Sequence, residues 1–337
     1  MIRKDVTALA LFSGGLDSIL ACRVVAAQGI KVIAVKFVTP FFGYDLLGRQ
    51  PEYAAEMRDK YGIDIILQDI SAQYLFMLGN PAHGYGKHFN PCLDCKILML
   101  REACRMLDAH QASFIITGEV VGQRPMSQRH DTLRLIARES GCGDLLVRPL
   151  CAKILPVTKP EEAGLVDRQQ LLDFTGRDRK PQIALAGEYG ISDYPNPAGG
   201  CILTDPILSR RIREFYQEHT AVSVEDMLLL QAGRYFRLPS GSVLTLGRDS
   251  LGNEKLLALQ QPGDWLLRMT DRPGPTGILR YSVGREDVEQ AAALVVRYSK
   301  KVKGRPQAGE VAVSRGLETS LLRVEPLDDA MYADWSR

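Results

Sequence analysis

Residues 13–18 read Ser13-Gly14-Gly15-Leu16-Asp17-Ser18 and follow directly on the apolar run 6–12. A strand that ends in paired glycines and continues as a helix over 18–27 presents free backbone N–H groups to an anion. Gly14 and Gly15 let that backbone approach phosphate with no Cβ in the way. Ser13 and Ser18 add hydroxyl donors. Asp17 is out of place in a bare anion cradle, because a carboxylate repels phosphate. It fits if a Mg²⁺ ion stands between the two charges. No Gly-Lys-Ser/Thr follows, which excludes a Walker loop, and the third glycine of a dinucleotide fingerprint is missing.

Around this loop the first half of the chain alternates strand and helix signals. Short apolar runs at 6–12, 31–38, 63–68 and 113–117 read as buried strands, with helical stretches at 52–61 and 95–110. This pattern predicts an α/β fold, a parallel sheet covered on both faces, with ligands at the carboxyl ends of strands. The glycine loop stands at one such end and Thr117-Gly118-Glu119 at another. From 153 the sequence becomes irregular and rich in proline, up to Gly199-Gly200-Cys201. A helical stretch follows at 207–218. Beyond 231 come short strands at 233–238, 242–246, 265–269 and 310–314, and an amphipathic helix at 285–298. The expected division is a first domain over 1–205, a helical linker over 206–230, and a smaller α+β domain over 231–337.

The chain has 337 residues, 45% hydrophobic and 24% charged, which is the composition of an ordinary globular protein. No apolar run reaches the length of a membrane span and no signal peptide is read at the start, so a cytoplasmic location is expected. The formal net charge of +2 is too small to argue for nucleic acid, so any RNA contact falls to local basic patches. Seven cysteines in such a chain read as core thiols, catalytic thiols or metal ligands rather than a disulfide framework.

Three of those cysteines stand apart. Asn90-Pro91-Cys92-Leu93-Asp94-Cys95-Lys96 puts two thiols where a loop enters a helix, and a helix N-terminus favours thiolate. The third, Cys201, lies in Pro197-Ala198-Gly199-Gly200-Cys201, whose glycines permit close approach to another element. In one reading Cys95 and Cys201 are a redox pair, one carrying a persulfide that the other resolves. In the second, Cys92, Cys95 and Cys201 ligate a 4Fe–4S cluster with one iron left open for sulfur. Zinc would require a fourth ligand, for which His88 is available; His83 and His88 equally read as polar loop residues. Cys22, Cys104, Cys142 and Cys151 lie in apolar or helical contexts and read as packed thiols.

Taken together these residues resemble a known group. Ser13 to Ser18 resembles the PP-loop, SGGxDS, of ATP pyrophosphatases, and within them that of tRNA thiouridine synthetases. Asn90-Pro91 followed by Cys95 is similar to the catalytic-cysteine motif of tRNA 2-thiouridylases. Where that motif often has Asp, this chain has Cys92, as in cluster-dependent thiolases. Gly200-Cys201-Ile202 resembles the segment with their second cysteine. Thr117-Gly118-Glu119, Gly122-Gln123, Ser127-Gln128 and Arg148-Pro149-Leu150 resemble the core of 4-thiouridine synthetase. Relative to that synthetase, an N-terminal RNA-binding extension and a rhodanese domain are expected to be missing. Arg234 to Gly241 and Gly247-Arg248-Asp249 with Asn253-Glu254 resemble the RNA-binding R domain of NFACT proteins.

The resemblance implies an ATP-dependent tRNA sulfurtransferase. ATP is expected on Ser13, Gly14, Gly15, Asp17, Ser18, Lys36, Gly118 and Gln123, with Mg²⁺ on Asp17. Cys92, Cys95 and Cys201 are expected to carry sulfur chemistry, with a 4Fe–4S cluster as implied cofactor. Arg124 and Arg129 are further candidates near the phosphates, and Glu119 for metal or base. Lys300, Lys301, Lys303 and Arg305 are expected on RNA phosphates, with Tyr235, Phe236 and Tyr298 stacking on bases; the alternatives are a solvated charged face and a core place for Tyr235 and Phe236. Implied partners are tRNA and a sulfur donor, either free sulfide or a separate persulfide carrier, with no membrane; a homodimer is the assembly to look for. Two other readings fit parts of the sequence: a PP-loop enzyme that inserts sulfur into or amidates a small molecule, and a non-catalytic RNA or ribosome factor.

Overall fold

The apolar run Thr7–Leu11 forms β1, the middle strand of a five-stranded sheet with order β3-β2-β1-β4-β5. The computed structural model describes residues 6–195 and 200–335, and the chain divides into two units, Met1–Thr204 and Asp205–Arg337. In the first unit β1 is followed by α1 (Leu16–Ala26), β2 (Lys31–Val38), α2 (Gln50–Tyr61), β3 (Asp64–Asp69), α3 (Ser71–Gly79) and α4 (Cys92–Met106). Then come β4 (Phe114–Thr117), α5 (His130–Ser140), β5 (Leu146–Val147), α6 (Lys159–Glu162) and α7 (Lys180–Glu188). Every pairing in this sheet is parallel.

Alternate residues of β1 feed two cores, as the pleat requires. Ala8 and Ala10 pack with Leu16, Ile19 and Leu20 of α1 and Met57 of α2. Leu9 packs on the other face with Ile97 and Leu100 of α4 and Ile136 of α5. Helices therefore cover both faces, the reason the central strands are apolar throughout rather than alternating. The chain winds outward from β1 through β2 to β3, then crosses back to β4 and β5. The reversal leaves a crevice at the carboxyl ends of β1 and β4, where ligands bind in such folds. Both sequence landmarks, Ser13 to Ser18 and Thr117 to Glu119, stand at this point.

The second unit contains α8 (Pro206–Glu218), α9 (Val224–Gln231), β6 (Arg234–Arg237), β7 (Val243–Leu246), α10 (Ser250–Ala258), β8 (Trp265–Met269) and β9 (Gly277–Arg280). It ends with α11 (Arg285–Arg297), β10 (Gly309–Arg315), β11 (Glu318–Val324) and α12 (Asp329–Tyr332). Its sheet has the order β11-β10-β8-β9-β7-β6 with antiparallel pairing throughout. The apolar stripe of α11, including Val288, Ala292 and Val295, packs on Leu244, Leu267, Leu279 and Val311. The stretch 206–230, read as a linker, forms α8 and α9 within this unit. Asp226 of α9 is buried and paired with Arg280 of β9 at 2.8 Å, and Arg280 pairs with buried Asp264 at 2.8 Å.

No helix among the described residues is long and apolar enough to cross a membrane.

Candidate active site

The turn after β1 is built as the glycines predict. Gly14 adopts φ +87°, the left-handed region, and Gly15 is the residue before α1, with no side chain capping the helix. The uncapped first turn leaves its N–H groups for a ligand. Ser18 Oγ donates to Gly15 O at 2.7 Å and Ser13 Oγ lies 3.2 Å from Ser18 Oγ, so both hydroxyls are gathered at the loop. Lys36, from β2, donates to Ser13 O at 2.8 Å, its ammonium over the Tyr53 ring. Burial pushes the Lys36 pKa down, with Asp45 opposing. The structure thus brings Lys36 to the glycine loop.

Gly118 and Gln123 arrive from the end of β4. A Cβ on Gly118 would sit 2.5 Å from the backbone carbon and oxygen of Asp17. Only glycine permits this approach of β4 to the loop. Gln123 Nε2 donates to Asp17 Oδ2 at 2.8 Å. The same oxygen meets Arg179, 3.4 Å away, at the start of α7. Asp17 Oδ1 is buried without a partner among the described residues, an open acceptor suited to Mg²⁺.

Glu119 carries the crevice toward the cysteines. Its Oε2 accepts from Arg148 at 2.9 Å and Thr117 at 3.2 Å, while Lys96 approaches Oε1 at 3.7 Å. Burial raises its pKa, but Arg148 and Lys96 outweigh that, and the net shift is downward. Glu119 is therefore an ionised carboxylate paired with Arg148, while its buried Oε1 has no hydrogen-bond partner among the described residues. Lys96 follows Cys95 directly in α4, so the ion pair ties the cysteine helix to β4.

Cys92 opens α4 and Cys95 lies one turn in, as the spacing predicts. Cys92, Cys95 and Cys201 lie close enough to perturb one another and the hydroxyl of buried Tyr74, which hydrogen-bonds to Cys95. The 201–204 segment is held to the loop before α4 by Phe89 N–H, which donates to Leu203 O at 3.3 Å. Pro197, Ala198 and Gly199 lie outside the described residues. Gly200 approaches only its own turn, at Thr204. The expectation of a thiolate favoured by the helix end is corrected at Cys95. Burial dominates there and pushes its pKa up to about 12, against the opposing charge of Lys96. Cys201 is raised as well, again by burial.

No group of three or more His, Cys, Asp or Glu that could hold a metal ion is found among the described residues, and the zinc reading with His88 gains no support. A 4Fe–4S cubane makes different demands. Each thiolate binds a different iron, so its ligands stand further apart than those of one ion. Three neighbouring thiols on a rigid helix and a tethered loop suit that donor set.

Other expectations distribute unevenly. Cys22, Cys142 and Cys151 are buried thiols, as read, and Cys104 is half-buried. Arg124 is exposed, and Arg129 is exposed beside Asp131 at 3.4 Å. Tyr235 and Phe236 are buried, at 3% and 1% exposure, which overturns their assignment as base-stacking residues. Tyr298 is half-buried against Phe236 and Tyr332 and beneath Arg234. Lys300, Lys301, Lys303 and Arg305 are all exposed. Lys303 and Gly304, at φ +49° and +78°, form the tip of a tight turn closed by reciprocal Val302–Arg305 hydrogen bonds. Sequence reading missed Tyr74, Lys96, Arg179 and Gln182. Of these only Lys96, adjacent to the cysteine motif, had a local signal.

Residues 4–153 match the family model described as "Thiamine biosynthesis protein (ThiI)". Residues 233–336 match the model described as "NFACT protein RNA binding domain". No curated protein matches the sequence. Among solved structures, the U34-tRNA thiolase NcsA from Methanococcus maripaludis with its [4Fe-4S] cluster is 14% identical. Its TM-score is 0.34 over 68% of this chain and 74% of that one. A 4-thiouridine synthetase–RNA complex with bound ATP is 21% identical at TM-score 0.37, over 67% of this chain and 52% of that one. The C-terminal part of the fibronectin/fibrinogen-binding protein from Streptococcus suis is 12% identical at TM-score 0.28, over 86% and 100%. At such scores the likeness is partial, and the fold stands on the strand order above. One chain thus matches ThiI proteins over residues 4–153 and the NFACT RNA-binding domain over residues 233–336.

Proposed function

We propose that the protein is an ATP-dependent tRNA sulfurtransferase that converts a uridine carbonyl to thiocarbonyl. The observation that carries this reading is the continuity of the crevice. Gly118 abuts Asp17 in the phosphate loop, and the next residue, Glu119, reaches Lys96 beside Cys95. Adenylation and sulfur transfer therefore have neighbouring sites on one rigid sheet edge.

ATP lies with its phosphates on Ser13, Gly14, Gly15 and Ser18, with Lys36 and the first turn of α1 supplying positive charge. Asp17, whose Oδ1 is unpartnered among the described residues, would hold Mg²⁺ when it is bound. The uracil carbonyl oxygen attacks the α-phosphate and pyrophosphate leaves. A sulfur nucleophile then adds to the activated ring carbon and AMP departs with the former carbonyl oxygen, which leaves C=S. Cys92, Cys95 and Cys201 handle the sulfur. They suit a 4Fe–4S cluster, whose open iron would supply a place for sulfide. The sulfur donor is free sulfide or a persulfide carrier. The tRNA is held by the second unit, through Lys300, Lys301, Lys303 and Arg305, with a homodimer as the assembly to test.

Mass spectrometry of tRNA nucleosides with and without the protein tests the reading. Loss of one thionucleoside from cells without it supports the proposal and names the position. An unchanged nucleoside profile counts against tRNA and returns the small-molecule reading.

A further inference from the structure

The neighbourhood of Asp17 contains more polar machinery than a phosphate loop requires, and much of it is left without partners. Arg179 stands at the start of α7 and reaches Asp17 Oδ2 with one terminal nitrogen at 3.4 Å. Its Nε is buried without a hydrogen-bond partner among the described residues. Gln182, one turn on, is 1% exposed, and its Oε1 is also buried without a partner. Its Nε2 donates to Gln123 Oε1 at 3.2 Å, and Gln123 donates in turn to Asp17. With Asp17 Oδ1, three buried polar atoms around one carboxylate are unsatisfied. Each such atom carries an uncompensated desolvation cost, so a resting fold has no reason to keep them. A ligand that brings both negative charge and a cation removes the cost.

We propose that Arg179 is a nucleotide-binding residue that takes the phosphates on the leaving side of ATP, the two that depart as pyrophosphate. This rests on the reading of the loop as an ATP site. Anchored to Asp17 through one nitrogen, the guanidinium keeps its remaining donors for phosphate oxygens. A planar fork suits two oxygens at once. Gln182 holds Gln123, and Gln123 holds Asp17, so the carboxylate stays fixed while Oδ1 remains free for Mg²⁺. The loop follows β1 and Lys36 stands on β2, whereas Arg179 comes from a segment more than a hundred residues later. Residues 153–195 thus complete the nucleotide site.

Direct binding tests this, by calorimetry on the full chain with three probes: Mg²⁺·α,β-methylene-ATP, Mg²⁺·pyrophosphate and AMP. Arg179→Met is expected to lose tenfold or more in affinity for the first two and to keep wild-type affinity for AMP. Arg179→Lys, which retains charge without the fork, is expected to recover part of the loss. The inference is overturned if Arg179→Met binds all three probes as the wild type does. It is also overturned if AMP weakens as much as the others, because the arginine then acts only through the shape of the loop. Failure of the wild type itself to bind any of the three probes overturns the ATP reading, and with it this inference.

Discussion

Two arginine–carboxylate clusters, one in each unit, are built on opposite principles. In the second unit Arg280 donates to Asp226 at 2.8 Å, to Asp264 at 2.8 and 2.9 Å, and to Leu259 O at 3.0 Å. Ser223 and Tyr281 donate to Asp226 as well. In the first unit Arg179 meets Asp17 at 3.4 Å, and an atom on each side stays unpaired. A buried charge with all its hydrogen bonds made fastens elements together, here α9 to β9. A buried charge with its bonds half made is held in readiness for a ligand. Satisfaction of hydrogen bonds, rather than burial, separates a structural cluster from a binding one.

The sharpest way to break this comparison is to remove each arginine in turn. Arg280→Met leaves two buried carboxylates without a counter-charge and is expected to destabilise the second unit by about 3–5 kcal/mol. Arg179→Met, at a longer and partly exposed pair, is expected to change stability by about 1 kcal/mol or less. Urea denaturation of the two variants measures both. Equal losses would remove the distinction.

Next in size is Gly118→Ala. A Cβ there meets the Asp17 backbone at 2.5 Å, so either β4 or the loop must shift. Displacement of a positioned group by about 1 Å costs on the order of 100-fold in rate. Pyrophosphate release is expected to fall by that order, with a lowered melting temperature because the clash is with backbone. Gly187→Ala is the control, because a Cβ there meets nothing within 4 Å and the residue lies outside the loop.

Acid sharpens the comparison from the structural side. Burial raises the Asp226 pKa, but hydrogen bonds from Ser223 and Arg280 more than offset it, and the folded value lies below the ordinary 3.8. A group depressed in the folded state contributes stability above its unfolded pKa and loses it as pH falls through the folded value. Stability of the second unit should therefore hold from pH 7 to about 4 and decline below that. Thermal melts between pH 6 and pH 3 follow this, and Asp226→Asn should flatten the decline.

The loop and the parallel sheet were legible because their causes are local. Gly14-Gly15 after an apolar run dictates a turn, and 31–38 was read with the bounds of β2. The cysteine motif was legible as spacing, but the thiol pKa was not. The helix end lies within the sequence window; the burial that overrides it is set by tertiary packing outside that window. Arg179 and Gln182 were invisible for the same reason, since their partner stands 162 residues from Arg179. For Tyr235 and Phe236 the sequence allowed base stacking or the core, and tertiary packing decides for the core. In an antiparallel strand the alternation is set by the helices that cover each face. Here both faces of β6 are covered, with Arg211 over Tyr235 and α11 against Phe236.

On the proposed function, and with those aromatics in the core, RNA binding in the second unit would fall to the turn at Lys300, Lys301, Lys303 and Arg305. This is the smallest effect expected and the one that separates electrostatic from specific recognition. Every lysine taken away from a phosphate lowers the slope of log affinity against log salt by about 0.7–0.9. Replacement of Lys300, Lys301 and Lys303 by alanine should therefore flatten the salt dependence of tRNA binding by roughly 2. At high salt the variant and the wild type should converge, because no base is read by these side chains. Filter binding of tRNA across a salt series measures the slope. A slope unchanged by all three substitutions would move the RNA surface elsewhere on the molecule.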